Sequence, residues 1–395
     1  MPAHAGASSA ASKGTGTTLD QPRQSEIAGA ADTAPEKCHV RLSRGCLAEA
    51  LDQALCAPTL TALKSRIAQL RDALEPPREP LGLRCPADES DALVSLRRDV
   101  FLGELAQILD AQTIERAHYY LRRLKTSIAE VKTSGINEIN LRRWKEYDGI
   151  LTDSLWVLPK RDSSGAHVAE YWGNFVPQIP RQMMLRYTKS LDWVLDMFAG
   201  SGTTLIECRR LGRNGIGIEL NPDVAQRARE LVEREPNQRG SVTDIVIGDS
   251  GVVDLRPILV RHGIERVQLL IMHPPYHDII RFSTDPRDLS NAPRTAEFLE
   301  MFGRCLDNAT PFLEAGRYFA LVIGDRYSRG EWIPLGFYCM SEVLKRDFTL
   351  KAIIVKNFDE TRGKRRQHDL WRYRALAGGF YVFKHEYVMV FRKRN

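Results

Sequence analysis

The segment 271-IMHPPYHDII-280 ends an apolar run with two prolines and an aromatic, and a histidine stands on each side. A proline pair fixes two φ angles and removes two N–H donors, so the carbonyls of Pro274 and Pro275 are expected as rigidly held acceptors. Tyr276 adds a flat surface. Fixed acceptors beside an aromatic plate suit a planar ring bearing an exocyclic amine, that is, a nucleobase, and stacking on such a plate contributes roughly 1–3 kcal/mol per base. A zinc reading of His273 and His277 needs a helix to align residues four apart, and Pro274-Pro275 forbid one; no metal is expected.

A second set of candidates lies upstream. Asp196 ends an apolar run and leads into 198-FAGSGTT-204, where Gly200 and Gly202 let the backbone turn tightly and a helix start offers free N–H groups to a carboxylate or phosphate. The segment has neither the G-K-[ST] ending of a P-loop nor G-x-G-x-x-G spacing, so alone it says little. Glu219 follows Gly200 by 19 residues and ends the next apolar run, the place where open α/β folds put a carboxylate on ribose hydroxyls. The third run ends in 248-GDS-250 and brings Asp249 and Ser250 to the same edge.

Short runs rich in Val, Ile and Leu must carry these residues: 192–198, 215–220, 244–249, 267–272, 318–325, 352–358 and 386–391, separated by helical stretches. Such alternation implies α/β architecture, a seven-stranded and mostly parallel sheet covered on both faces, with the last two strands joined without a helix and antiparallel. Earlier in the chain, 59–74, 92–109 and 112–132 have helical periodicity and form a small helical N-terminal domain of unknown role. The expected organisation is a disordered tail over 1–36, poor in large apolar side chains, a helical domain over 37–134, a linker over 135–165 and an α/β domain over 166–395.

The 395-residue chain is 43% hydrophobic and 27% charged, with no apolar run near the roughly 18 residues that span a bilayer. Its start lacks the apolar core of a signal peptide. The seven cysteines (Cys38, Cys46, Cys56, Cys85, Cys208, Cys305 and Cys339) are widely spaced without a C-x-x-C pair, which fits reduced thiols and a cytoplasmic location. Net charge is +6, but residues 351–395 hold 12 Lys and Arg against 4 Asp and Glu. That excess fits either a solvated basic loop or an anionic partner docking near the C-terminus. The basic stretch 362-RGKRRQHDLWRYR-374 interleaves Arg362, Lys364, Arg365, Arg366, Arg372 and Arg374 with Trp371 and Tyr373, the pairing of phosphate contact and stacking used on nucleic acids.

Taken together, 194-VLDMFAGSGTT-204, Glu219, 248-GDS-250 and 273-HPPY-276 resemble the S-adenosylmethionine-dependent DNA amino methyltransferases, which modify adenine N6 or cytosine N4. The order is similar to the branch in which the cofactor half precedes the catalytic loop, and the likeness covers about 170–393. It implies a Rossmann-like methyltransferase sheet with S-adenosylmethionine as cofactor. Asp196 and the loop Phe198, Ala199, Gly200, Ser201, Gly202 and Thr203 would hold its amino-acid end, Glu219 the ribose, and Asp249 with Ser250 the adenine. The segment 171–184, with Phe175, looks like the part that packs on the methionine end. His273 through Tyr276 would be catalytic on a base flipped out of double-stranded DNA, and 281–291 would close over it. A restriction endonuclease is a partner the resemblance allows and no residue specifies. His273 departs from the family's usual Asp, Asn or Ser; only neutral imidazole accepts a hydrogen bond, so activity is expected to fall near pH 6.5. An RNA base-amine methyltransferase and a non-catalytic nucleic-acid-binding protein that keeps the fold are the alternative readings.

Overall fold

The computed structural model describes residues 39–74, 93–168, 173–357 and 368–395. The expected tail over 1–36 lies outside these residues.

The N-terminal part is helical, but it also holds a strand pair absent from the sequence expectation. Strands β1 (His39–Ser43) and β2 (Leu93–Arg97) pair antiparallel, and α1 (Arg44–Leu55), α2 (Leu60–Asp72), α3 (Arg98–Leu109) and α4 (Ile114–Ala129) pack with them. The helix expected over 92–109 therefore starts only at Arg98. Its first residues, Leu-Val-Ser-Leu, alternate in burial along a strand, a period that a short apolar run cannot distinguish from a helix turn. Leu47, Leu51, Leu63, Ile67, Leu105, Ile108 and Leu121 fill a separate core. Ser43, Thr59 and Thr113 each accept a backbone N–H and so start α1, α2 and α4 as side-chain N-caps.

The expected linker is threaded against the α/β part. A two-residue strand β3 (Leu155–Trp156) precedes α5 (Gln178–Tyr187), the Asn137 amide donates to the Arg186 carbonyl at 2.6 Å, and Glu138 pairs with Arg213 at 2.9 Å.

The α/β part then runs β4 (Trp193–Asp196), α6 (Thr203–Leu211), β5 (Asn214–Glu219), α7 (Pro222–Arg234), β6 (Thr243–Ile247), α8 (Leu255–Arg261), β7 (Val267–Met272), α9 (Thr295–Ala309), β8 (Leu313–Ile323), a hairpin β9 (Arg326–Ser328) and β10 (Glu331–Ile333), α10 (Leu335–Leu344), β11 (Phe348–Asn357), α11 (His368–Gly378) and β12 (His385–Lys393). Eight strands form one sheet in the order β3-β11-β12-β8-β7-β4-β5-β6. All seven expected strands are present. β3 adds an eighth, parallel to β11, and β12 runs antiparallel to both its neighbours. The expectation that no helix separates the last two strands is corrected by α11, which is mostly exposed and carries no clear apolar face for a sequence pattern to reveal.

Alternate residues on the central strands feed the two faces. Val194, Leu269, Ile271, Val322 and Val388 pack with α5, whereas Leu195, Leu270, Met272, Leu321 and Met389 pack beneath Phe298 and Phe302 of α9. The chain leaves β4 for β5 and β6 on one side and returns to β7 on the other. That reversal opens a crevice beyond the carboxyl ends of β4 and β7, where open α/β sheets bind ligands. Among the described residues no helix is long and apolar enough to cross a membrane. Cys56, Cys208, Cys305 and Cys339 are free thiols, but Cys46 stands in a disulfide, against the expectation of reduced cysteines throughout.

Candidate active site

At the end of β4 the chain turns through the glycine loop with Gly200 at φ 51° and Gly202 at φ 80°, left-handed values that favour glycine. A Cβ on Gly202 would meet Val232 Cγ2 of α7 at 3.0 Å. Asp196 is fully buried and directed into the loop itself: Oδ1 accepts the Phe198 N–H at 2.9 Å and Oδ2 the Thr204 hydroxyl at 2.5 Å. Burial without a cation pushes its carboxyl up to about 6. Asp196 thus braces the loop and has no oxygen turned to a ligand. Ala199, Ser201 and Thr203 are buried, and Phe198 is half-buried. Helix α6 begins without a side-chain cap, so its first-turn N–H groups are left to an external acceptor.

Glu219 ends β5 beside this loop. Its Oε2 accepts the Gly200 N–H and its Oε1 the Asn221 N–H, each at 2.9 Å. The 19-residue spacing seen in the sequence is therefore a direct contact. Burial raises the Glu219 carboxyl to about 7, the two backbone donors oppose the shift, and the carboxylates of Asp196 and Asp288 add to it. Close approach of strand and loop needs Gly217, where a Cβ would stand 2.8 Å from Ala199 Cβ. At the end of β6, Asp249 remains partly accessible with Oδ1 on the Gly251 N–H at 2.8 Å. Ser250 turns the other way: it is 7% exposed and donates its hydroxyl to the Met197 carbonyl, so it props the loop from behind.

The 273–276 segment leaves β7 into the same crevice. Nε2 of His273 lies 3.1 Å from the Tyr276 hydroxyl, the hydroxyl donates to Glu386 Oε2 at 2.7 Å, and Glu386 Oε1 stands 3.2 Å from Lys356 Nζ. Lys356 and Glu386 are cross-strand partners on β11 and β12, with side chains only 4% exposed each. The Tyr276 ring rests on Gly324, where any Cβ would collide at 2.8 Å, and Phe175 packs on the His273 ring at 4.7 Å between centroids. Protein surrounds His273 densely, yet the residue is only half-buried. Burial lowers its pKa from 6.5 to about 4, Glu386 opposing and Lys356 reinforcing the shift. Its imidazole is neutral at physiological pH, which corrects the expected loss of activity near pH 6.5. Burial and the Glu386 carboxylate hold the Tyr276 phenol well above its ordinary value, so it keeps its proton.

His277 and Asp278, undecided from sequence, are structural. His277 sits at φ 54° with Nε2 2.8 Å from the Ala292 carbonyl, and Asp278 pairs with Arg326 of the hairpin at 2.7 Å. The 281–291 loop is tied by Phe282 N–H to Ser290 Oγ, by Ser283 Oγ to Asp288 Oδ2 and by the Asn291 amide to the carbonyls of Ser283 and Asp285. Arg281, Phe282, Ser283, Thr284 and Asn291 line a groove of about 480 Å³. The Asp288 carboxylate of this loop helps raise Glu219, and the Asp249 carboxylate acts on Arg287, so the segment runs near the cofactor-side carboxylates.

Of the basic stretch, Arg362, Lys364, Arg365 and Arg366 lie outside the described residues. Trp371, Arg372, Tyr373 and Arg374 are on α11. The Arg374 guanidinium stands 5.2 Å from the Trp371 ring centroid, and Tyr373 is 69% exposed. Among the described residues one set could geometrically hold a metal, Asp162, His167 and Glu207, but the Arg210 guanidinium already lies 3.1 Å from Asp162 and 3.3 Å from Glu207. It supplies the positive charge there and ties residues 162–167 to α6.

Glu386, Lys356 and Asn174, which accepts the Thr203 hydroxyl at 2.5 Å, were not singled out from the sequence. A charged pair in otherwise apolar strands is the one available signal for the first two.

Residues 110–230 match a family model described as DNA methylase. Type II methyltransferase M2.DpnII of Streptococcus pneumoniae is 43% identical over 106 residues, 25% of this chain and 40% of that protein. M.Cfr9I of Citrobacter freundii is 39% identical over 70 residues, 18% and 22%. M.MjaII of Methanocaldococcus jannaschii is 34% identical over 88 residues, 20% and 16%. The chain thus aligns with well under half the length of these relatives. Among solved structures TrmN from Thermus thermophilus is similar at a TM-score of 0.36 and 16% identity over 55% of this chain and 49% of that one, a likeness too low to bear on function.

Proposed function

We propose that the chain, whose region around the glycine loop matches the DNA methylase family model and type II methyltransferases, transfers a methyl group from S-adenosylmethionine to the exocyclic amine of adenine (N6) or cytosine (N4) in DNA. One observation carries the reading: the glycine loop with Glu219 and the His273–Tyr276 segment leave adjacent strands, β4 with β5 and β7, into a single crevice at the point where the sheet reverses.

The residues present fit the cofactor. The uncapped start of α6 suits a carboxylate, and the partly accessible Glu219 is an acceptor suited to a vicinal diol. Asp249 is an acceptor suited to an adenine amine, and Phe175 lines the approach to His273. S-adenosylmethionine, when bound, supplies a methyl group on sulfonium sulfur. Tyr276 is the plate on which the flipped base stacks, and its ring is held against Gly324. Neutral His273 and the Pro274 carbonyl each accept one hydrogen of the target amine, which leaves the nitrogen lone pair directed at the methyl carbon. The amine nitrogen would form the new C–N bond with that pair as the methyl carbon–sulfur bond breaks, sulfur keeping the electron pair as a neutral thioether, and one N–H proton would pass to solvent. No covalent enzyme intermediate is required.

Exposed Tyr373 with Arg372 and Arg374 on α11 would contact the duplex. The reading is tested by incubating the full-length chain with methyl-labelled cofactor and either DNA or RNA. Label in DNA is expected; label confined to RNA would replace this reading with the RNA alternative, and cofactor binding without transfer would replace it with a binding protein.

A further inference from the structure

We propose that the buried Lys356–Glu386 pair acts through the Tyr276 hydroxyl to fix the tautomer of His273, with the hydrogen on Nε2 and the free lone pair on Nδ1. Lys356 and Glu386 are on this account positioning residues for the base-amine acceptor. The inference rests on the methyltransferase reading for its use but not for its test.

The tautomer follows from a count of hydrogens. The Tyr276 oxygen has two close neighbours, Glu386 Oε2 at 2.7 Å and His273 Nε2 at 3.1 Å, and one hydrogen to give. A carboxylate paired with Lys356 Nζ at 3.2 Å has no hydrogen to offer, so the phenol must donate to it; otherwise two oxygen lone pairs would face each other in a buried space. The phenol oxygen is then left as an acceptor toward His273. Nε2 satisfies it only if it carries the hydrogen. A neutral ring with hydrogen on Nε2 has its lone pair on Nδ1, and burial keeps the ring neutral.

The order of the chain has a reason. With a neutral group in place of Glu386 the phenol hydrogen could turn to His273 instead, and the imidazole would place its acceptor on the nitrogen facing the phenol. Lys356 sits opposite Glu386 in the strand register, so β11 and β12 pin the far end of the relay. Phe175, packed 4.7 Å from His273, restrains the ring against flipping, which would exchange the two nitrogens. A carboxylate or a hydroxyl at position 273 would need no such device, because either presents an acceptor whatever its neighbour does.

The tautomer is read on the free full-length protein by histidine-selective 15N labelling and long-range 1H–15N correlation, with His273→Asn assigning the signal. Hydrogen on Nε2 of His273 at neutral pH is expected; hydrogen on Nδ1, a mixture or an imidazolium overturns the proposal. The Lys356→Met/Glu386→Gln double variant removes both charges together and should shift the ring toward the Nδ1–H form. Tyr276→Phe, which keeps the ring and loses the hydroxyl, should abolish the preference and serves if the double variant does not fold. An unchanged Nε2–H signal in these variants refutes the relay. Methyl transfer by the double variant should lose roughly tenfold or more in kcat with cofactor affinity unchanged; equal loss of both would mean a structural role only. Because the spectra need neither DNA nor cofactor, absent methylation sinks the functional reading alone, and a wrong tautomer sinks this inference alone.

Discussion

Replacing Glu219 by Gln tests the division of labour in the crevice. Each Glu219 oxygen accepts one backbone N–H at 2.9 Å, from Gly200 and from Asn221. A glutamine keeps one acceptor and sets its NH₂ against the other donor. A ribose hydroxyl's hydrogen bond to the charged acceptor contributes about 1.5–3 kcal/mol, so losing it is roughly tenfold to more than a hundredfold in cofactor Kd at pH 8. The sharper signature is pH. Burial raises the Glu219 carboxyl to about 7, and a diol prefers the ionised form, so wild-type Kd should be level above that value. Below it, Kd should weaken by about tenfold per pH unit. The Glu219→Gln variant has no such group and should give a flat profile. Isothermal titration calorimetry between pH 8 and pH 5.5 measures both. A flat wild-type profile, or a variant within threefold of wild type at pH 8, would refute the assignment of Glu219 to the ribose.

Asp196→Asn should fold and, at pH 8, be at least as stable as wild type. The folded-state carboxyl is raised to about 6, so the stability it contributes is fully present below the unfolded pKa near 4 and lost as pH rises through about 6. Thermal melts from pH 5 to pH 8 should show a smaller decline for the variant, and a large loss at pH 8 would contradict the account of an Asp196 carboxylate disfavoured by burial. At saturating cofactor, kcat should stay level down to about pH 5, because His273 titrates near 4; a fall centred near 6.5 in initial-rate assays would show the imidazole to be solvated. Arg372→Ala and Arg374→Ala should each weaken DNA binding and lower the salt slope by about 1 if they meet phosphates, measured by fluorescence anisotropy over a salt series. Loss of affinity with an unchanged slope would place α11 away from the backbone.

What could be read from sequence was local. The glycine loop and the proline pair are contiguous, and the Gly200–Glu219 spacing reflects a strand–helix–strand unit whose geometry is stereotyped. The strands were legible as apolar runs with helical stretches between them. Most of the misses depend on a contact between distant segments. β3 is two residues long and exists only by pairing with β11. β2 is a strand because β1 lies beside it, although the same residues also fit a helix turn. Lys356 and Glu386 are 30 residues apart, and only the register of β11 against β12 puts them face to face beneath Tyr276. The shift of His273 away from pH 6.5 follows from burial, which composition does not reveal. Ser250 was legible as a residue at the sheet edge, but not in its orientation, because both rotations of a turn read alike in a sequence.

The most direct measurement is the modified-nucleoside content of DNA from a methylation-deficient host that makes this chain, set against the same host making Tyr276→Ala. After enzymatic digestion and mass spectrometry, N6-methyladenine or N4-methylcytosine should be present with the wild-type chain and absent with the variant. Neither nucleoside with the wild-type chain, or equal amounts with both, would contradict the account.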